Sequence, residues 1–369
     1  MASTSPDPRR LQAAEMAVMS RFLTLMAATA SHAYQMPLAA STMPMARGLR
    51  ASAARMGDDD FAGVKPSTVF LFPGQGAQVV GMGVEAAKEV PAVADLYAKA
   101  SDILGYDLLA IDDKAVLDKT DVSQPAIFVA SMAAVEKLRA SEGGAETIEA
   151  CNMAMGLSLG EYTALCFAGA ISFEDGVRIT KARGAAMQAA SEAASSGMVS
   201  VIGLDSDKVS DLCAAASEAT GEQIAIANYL CTGNYAASGS MAAVDKVCEL
   251  AKPEFKARMA VKLAVAGAFH TDFMAPAVAS LEEVLNEVEI SKPRIPVISN
   301  VDAKAHSDPA VIKQILTKQV TAPVQWETTM KELVASGYEV GYELGPGKVL
   351  SGIMKRVDKK APAITNIEI

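Results

Sequence analysis

Histidine is scarce in this sequence: His32, His270 and His306 are all there is in 369 residues. Any mechanism that moves a proton through an imidazole has few candidates. Cysteine is scarce too. Cys151, Cys166, Cys213, Cys231 and Cys248 are too few and too scattered for a disulfide scaffold, and none stands in a C-x-x-C or Cys/His pattern of a zinc site. They read as reduced core thiols, with no metal implied. An excess of positive charge is also missing: 33 Lys and Arg face 43 Asp and Glu. The net charge of −10 argues against a chain built to grip nucleic acid or an anionic membrane. What remains is ordinary globular composition, 51% hydrophobic and 21% charged, enough for one large domain with a smaller one inserted or appended.

The first 55 residues contain no lysine and only two acidic residues, against six Arg, fourteen Ala and ten Ser or Thr. This is targeting composition. An apolar stretch at 22–30 follows Arg21 and leads into Ala30-Ser31-His32-Ala33, which resembles a short signal core with a small-residue cleavage site. It is too short for a transmembrane helix. An Arg-bearing, acid-free stretch follows at 34–55. The order suits a bipartite presequence for a complex plastid, so the expected location is the plastid (chloroplast) stroma; a single plastid or mitochondrial transit peptide is the alternative. Residues 1–58 are therefore set apart from the fold. The residues after Arg55 carry 27 basic and 41 acidic side chains.

Beyond that point short β-type runs alternate with Ala-rich helical stretches. Strands are expected at 68–72, 150–155, 297–300 and 340–344, and helices at 84–103, 124–140 and 159–168. The alternation predicts an α/β fold with a mainly parallel sheet covered on both faces. Residues 198–265 carry their own order, strand, helix, two strands around Gly233-Asn234, helix, strand. βαββαβ is the ferredoxin-like arrangement. The expected organisation is a hydrolase-like large domain, 59–193 with 266–369, interrupted by a small domain at 194–265, with a substrate cleft between them.

Gly156-Leu157-Ser158-Leu159-Gly160 is a G-x-S-x-G sequence between a strand and a helix, a context that exposes a serine hydroxyl on a sharp turn. The helix start adds free N–H groups and a positive dipole end suited to an oxyanion. Its base should be His270, which closes Ala266-Gly267-Ala268-Phe269-His270 where the small domain returns the chain to the large one; His306, in a polar loop, reads as a solvated surface residue. No acid between 159 and 269 has a distinctive setting, so a dyad is expected, its imidazole oriented by something other than a carboxylate. Gly74-Gln75-Gly76 is not a phosphate loop: no Lys-Ser/Thr pair follows, and Val79 stands where a dinucleotide fingerprint wants its third glycine. It can instead offer the Gln75 N–H as a second oxyanion donor.

These motifs, with Gln124-Pro125-Ala126, Arg183 in Lys181-Ala182-Arg183-Gly184, Ser299-Asn300-Val301, Pro323-Val324-Gln325-Trp326 and Gly345-Pro346-Gly347-Lys348, occur in an order that resembles the malonyl-CoA:acyl carrier protein transacylases of the dissociated fatty-acid synthase. The resemblance spans residues 68–356. It implies transfer of malonyl from malonyl-CoA to the phosphopantetheine thiol of acyl carrier protein, supplying fatty-acid elongation. Ser158 would be the nucleophile and His270 the base, with the N–H groups of Gln75 and Leu159 as the oxyanion hole. Arg183 would pair with the malonyl carboxylate, the backbone carbonyl of Gln325 would orient His270, and Asn228 would be a polar cleft residue. Many members carry His where this chain has Leu157; Leu at this place resembles the plastid enzymes of plants. No prosthetic group is implied, since coenzyme A is carried in as substrate, and a monomer is expected. Phe269, bulky beside the base, should crowd a substituent on the malonyl α-carbon. Two alternatives stay open: a serine hydrolase using the same dyad with water, and an inactive member that scaffolds carrier protein. An acidic carrier protein is expected to dock on local cations, at Lys252, Lys256, Arg258 and Lys262 or at Lys355 and Arg356.

Overall fold

In a computed structural model of the chain, residues 59–369 are described. The presequence reading at 1–58 lies outside them. Among the described residues nine strands occur: β1 Thr68–Phe72, β2 Cys151–Gly156, β3 Ser196–Ile202, β4 Ile224–Cys231, β5 Asn234–Ser240, β6 Met259–Lys262, β7 Val297–Ile298, β8 Val340–Leu344 and β9 Ile364–Ile367. They form a five-stranded parallel sheet, order β7-β2-β1-β8-β9, and a four-stranded antiparallel sheet, order β4-β5-β3-β6. The fold is the expected one, α/β with a separate small antiparallel sheet.

Alternation within β1 and β2 shows why the parallel sheet is covered on both faces. Phe70, Phe72 and Ala154 enter one core with Tyr162, Phe167 and Leu316. Val69, Leu71, Met153 and Met155 enter the other with Trp326, Leu333 and Leu350. Period-2 geometry sends neighbours to opposite faces, and both faces here are apolar. Register then places the site: Phe72 pairs with Gly156, so the loops leaving β1 and β2 emerge side by side at the carboxyl edge of the sheet. That edge is where open α/β sheets bind ligands.

The small sheet packs Val199, Val201, Tyr235 and Ala237 against Val209, Leu212, Val244 and Val247 of the helices Ser206–Thr220 and Met241–Ala251. Its strand order is that of a ferredoxin-like unit. A strap joins it to the large sheet's side: the Tyr229 N–H donates to the Val324 carbonyl at 3.0 Å, and the Val324 N–H to the Ala227 carbonyl at 2.8 Å.

Several boundaries differ from expectation. The helix expected at 84–103 is two, Val84–Glu89 and Pro91–Leu104, because Pro91 starts a helix and pushes Val90 into extended geometry. The helix expected from 124 runs Thr120–Ala140, with Pro125 tolerated in its second turn. β6 stops at Lys262, three residues short of the expected end. The four thiols Cys151, Cys166, Cys213 and Cys231 are buried and Cys248 is half-buried; all five are reduced.

Candidate active site

The turn after β2 is as sharp as the G-x-S-x-G sequence implies. Ser158 sits at φ 51°, ψ −104°, a strained combination for a residue with a Cβ. Three glycines make the turn possible. A Cβ on Gly156 would lie 1.9 Å from the Gly160 carbonyl carbon, one on Gly160 2.1 Å from the Phe72 oxygen, and one on Gly74 2.4 Å from the Leu157 oxygen. The last contact brings the 74–76 loop against the elbow. Asn300 braces the turn from the far side: its Oδ1 accepts the Ser158 N–H at 2.5 Å and its Nδ2 donates to the Gly156 carbonyl at 2.7 Å.

Ser158 heads the helix Leu159–Phe167, yet its hydroxyl caps nothing there. It points to His270, Oγ to Nε2 2.8 Å. The imidazole Nδ1 lies 2.8 Å from the Gln319 carbonyl oxygen. A carbonyl only accepts, so Nδ1 carries the hydrogen and Nε2 is left as acceptor for the serine proton. Burial, and then the nearby Arg183 charge, push His270 down to about 4, which keeps it neutral in ordinary buffers, with Nε2 open to accept a proton.

The expected orienting carbonyl, that of Gln325, is not the one used. Gln325 precedes the helix Trp326–Ser336, and its oxygen accepts the Thr329 N–H at 3.1 Å and the Thr329 hydroxyl at 3.2 Å. It is committed to starting a helix. Gln319 ends the helix Pro309–Gln319, where carbonyls lack intrahelical partners, and so it is free to take the imidazole. The helix boundaries were the signal that separates the two glutamines. His306 pairs with Asp302 at 3.0 Å with its side chain 19% exposed, less solvated than expected, and is not among the residues lining the Ser158 cavity.

Arg183, in the middle of the helix Phe173–Glu192, is 1% exposed. Its Nη2 donates to Ser158 Oγ at 3.1 Å and to Gln319 Oε1 at 2.9 Å, its Nη1 to Gln124 Oε1 at 2.7 Å, and its guanidinium lies 5.1 Å from the centre of the Tyr162 ring. Glu161, also buried, accepts from the Asn300 N–H at 2.9 Å and from Gln319 Nε2 at 2.6 Å. Burial pushes its carboxyl up to about 7 against those bonds. Sequence reasoning gave Gln319 no part, and gave Asn300, Glu161 and Gln124 no role beyond their motifs.

A cavity of about 270 Å³ opens over Ser158, between the two sheets' layers. Gln75, Leu159, Arg183, Asn228, Phe269 and His270 all line it. Among the described residues neither the Gln75 N–H nor the Leu159 N–H donates to a partner. Asn228 is buried with its Oδ1 unpartnered. Apart from Gln124 the remaining walls are mainly apolar, Leu157, Met187, Met198, Leu263 and Ile353 among them. A hydroxyl aligned on a neutral imidazole, beside two open N–H groups and a buried cation, can accept an acyl group that carries a negative charge. No cluster that could hold a metal ion occurs among the described residues.

Comparison with known proteins points the same way. The family model described as acyl transferase domain matches residues 69–368. The human protein named malonyl-CoA-acyl carrier protein transacylase, mitochondrial, is 42% identical over 308 residues, covering 80% of this chain and 78% of its own. The Bacillus subtilis protein named malonyl CoA-acyl carrier protein transacylase is 38% identical over 298 residues, covering 80% and 92%. A malonyl-transacylase solved in complex with its type II PKS acyl-carrier protein superposes with a TM-score of 0.73 at 32% identity, covering 81% of this chain and 94% of its own.

Proposed function

Because the chain belongs to the acyl transferase family, as a malonyl-CoA:acyl carrier protein transacylase, we propose that Ser158, His270 and Arg183 carry out its malonyl transfer. The enzyme moves malonyl from coenzyme A to acyl carrier protein. Ser158 Oγ attacks the thioester carbonyl as its proton passes to His270 Nε2. The carbonyl oxygen, now negative, is met by the N–H groups of Gln75 and Leu159. Collapse breaks the C–S bond, the imidazolium returns its proton to the leaving thiolate, and coenzyme A departs, leaving malonyl esterified to Ser158. In the second half the phosphopantetheine thiol gives its proton to His270 and attacks the ester; Ser158 Oγ leaves and is reprotonated. The steps call on no metal and on no prosthetic group of the enzyme itself.

The observation that carries this reading is the pair of contacts at one oxygen, Ser158 Oγ 2.8 Å from His270 Nε2 and 3.1 Å from Arg183 Nη2. The nucleophile and the carboxylate binder are thus within one acyl group of each other. A plain serine hydrolase has no use for a buried guanidinium there. Asn228, with its free Oδ1, is suited to the polar part of the pantetheine arm, and Phe269 to limiting bulk at the malonyl α-carbon. Intact-mass measurement after mixing with malonyl-CoA should find a malonyl adduct on the wild type and none on Ser158→Ala. An adduct that persists in Ser158→Ala would displace the nucleophile.

The same reading extends to organisation. The domains are 59–193 with 266–369 and 194–265, with 1–58 a presequence removed on import into a plastid; the mitochondrion is the alternative, favoured by the name of the human relative. The chain acts as a monomer, without nucleic acid and without stable membrane association.

A further inference from the structure

A guanidinium buried as deeply as that of Arg183 is ordinarily neutralised by a carboxylate. Arg183 has no ion pair among the described residues: its bonds go to the amide oxygens of Gln124 and Gln319 and to the Ser158 hydroxyl. A buried carboxyl is nonetheless one side chain away. Glu161 receives Gln319 Nε2 at 2.6 Å, while Gln319 Oε1 receives Arg183 Nη2 at 2.9 Å. The orientation of that amide is forced, because the guanidinium can only donate, which turns Oε1 to Arg183 and leaves Nε2 to donate to Glu161. Gln319 Nε2 also donates to the Ser158 carbonyl at 3.0 Å, which pins the amide to the elbow.

We propose that Gln319 is a specificity-determining positioning residue, a neutral spacer that holds Arg183 over Ser158 while keeping the Glu161 carboxyl off the guanidinium. The charge of Arg183 is thereby left for the carboxylate of an incoming acyl group. The inference rests on the reading of this site as a malonyl transferase and adds the residue that keeps its cation available. A direct Arg183–Glu161 pair would relieve two buried charges at once, so an uncharged bridge of fixed geometry is what prevents it. Glu161 also anchors the Asn300 N–H, so the carboxyl braces the elbow without quenching the cation.

The test is kcat/KM for malonyl-CoA and acetyl-CoA, with one carrier protein, on the wild type, Gln319→Glu, Gln319→Met and Gln319→Met with Glu161→Gln. Gln319→Glu puts a carboxylate directly on Arg183 and should lower the malonyl-over-acetyl ratio by on the order of 100-fold, chiefly through loss of malonyl transfer. Gln319→Met opens Arg183 to Glu161 and should lower the ratio too; Glu161→Gln in that background should restore it by about tenfold or more, since no carboxylate remains to compete. The Met pair decides the matter even if Gln319→Glu does not fold. Equal losses for both substrates, or no restoration in the double variant, would overturn the spacer and leave Gln319 as a support for the His270 carbonyl contact alone. A wild type without preference for malonyl would instead overturn the underlying reading of the site.

Discussion

His270 illustrates how a single residue's surroundings set its chemistry. It is 3% exposed, held at φ 61° and pushed down to about 4 by burial and by Arg183. Lowered basicity in the folded state means that the unfolded chain binds more protons between about 4 and 6.5. This group's contribution to stability therefore rises with pH across that window. The free enzyme's kcat/KM for malonyl-CoA should accordingly keep its acid limb near about 4 rather than near 6.5. A limb at 6.5 would mean a solvated imidazole and a different base. Arg183 sets selectivity at the same scale. Arg183→Ala should lower kcat/KM for malonyl-CoA by roughly 100-fold while leaving acetyl-CoA transfer unchanged or raised, and Lys should restore little, because a point charge cannot reproduce the planar fork. Equal losses for both substrates would make Arg183 a structural cation. Ser158, His270 and Arg183, which the structure brings together, could be singled out in the sequence because their motifs are local or match a family in order. Gln319 was not, because its part depends on which helix ends at it, and helix boundaries are the least determined feature of a sequence. The carry-over to Gln325 failed for that reason.

At the scale of elements, the strands β1 and β8 fall where their apolar runs predict, and the βαββαβ order of the small sheet was readable from alternation alone. β9 was not anticipated: its four residues include Thr365 and Asn366, and edge strands need no apolar run to pair. The pairing of β1 with β2 carries a prediction, because it sets two loops against each other through one glycine. Gly74→Ala would put a Cβ 2.4 Å from the Leu157 oxygen, so the loop must withdraw and take the Gln75 N–H with it. The expected result is a folded enzyme with kcat lowered about 100-fold, the cost of one oxyanion donor, and a near-normal KM for malonyl-CoA. An unaltered kcat would remove Gln75 from the oxyanion hole.

Over the whole molecule the question is where an acidic carrier protein settles on a chain whose net charge opposes it. Of the cations considered, Lys262 is tied to Asp245 and Lys256 turns to the Pro253 carbonyl. Lys355 and Arg356 make no ion pair among the described residues, and they end the helix Val349–Val357, whose Val349 and Ile353 line the cavity. Charge reversal of both should raise the KM for carrier protein several-fold and leave malonyl-enzyme formation intact; an unchanged KM would move the docking face elsewhere. A surface of this kind cannot be read from sequence, since it depends on which cations already have partners. The two helices that meet at the site carry a last implication. Leu159–Phe167 presents its amino end at Ser158, and Pro309–Gln319 presents its carboxyl end to the imidazole. Under the proposed mechanism negative charge gathers at the first and positive charge at the second, so the charge separation of the reaction runs between two backbone dipole ends, each opposite in sign to the charge it meets. That part of catalysis belongs to the main chain, and exchanges of side chain that preserve both helices leave it in place.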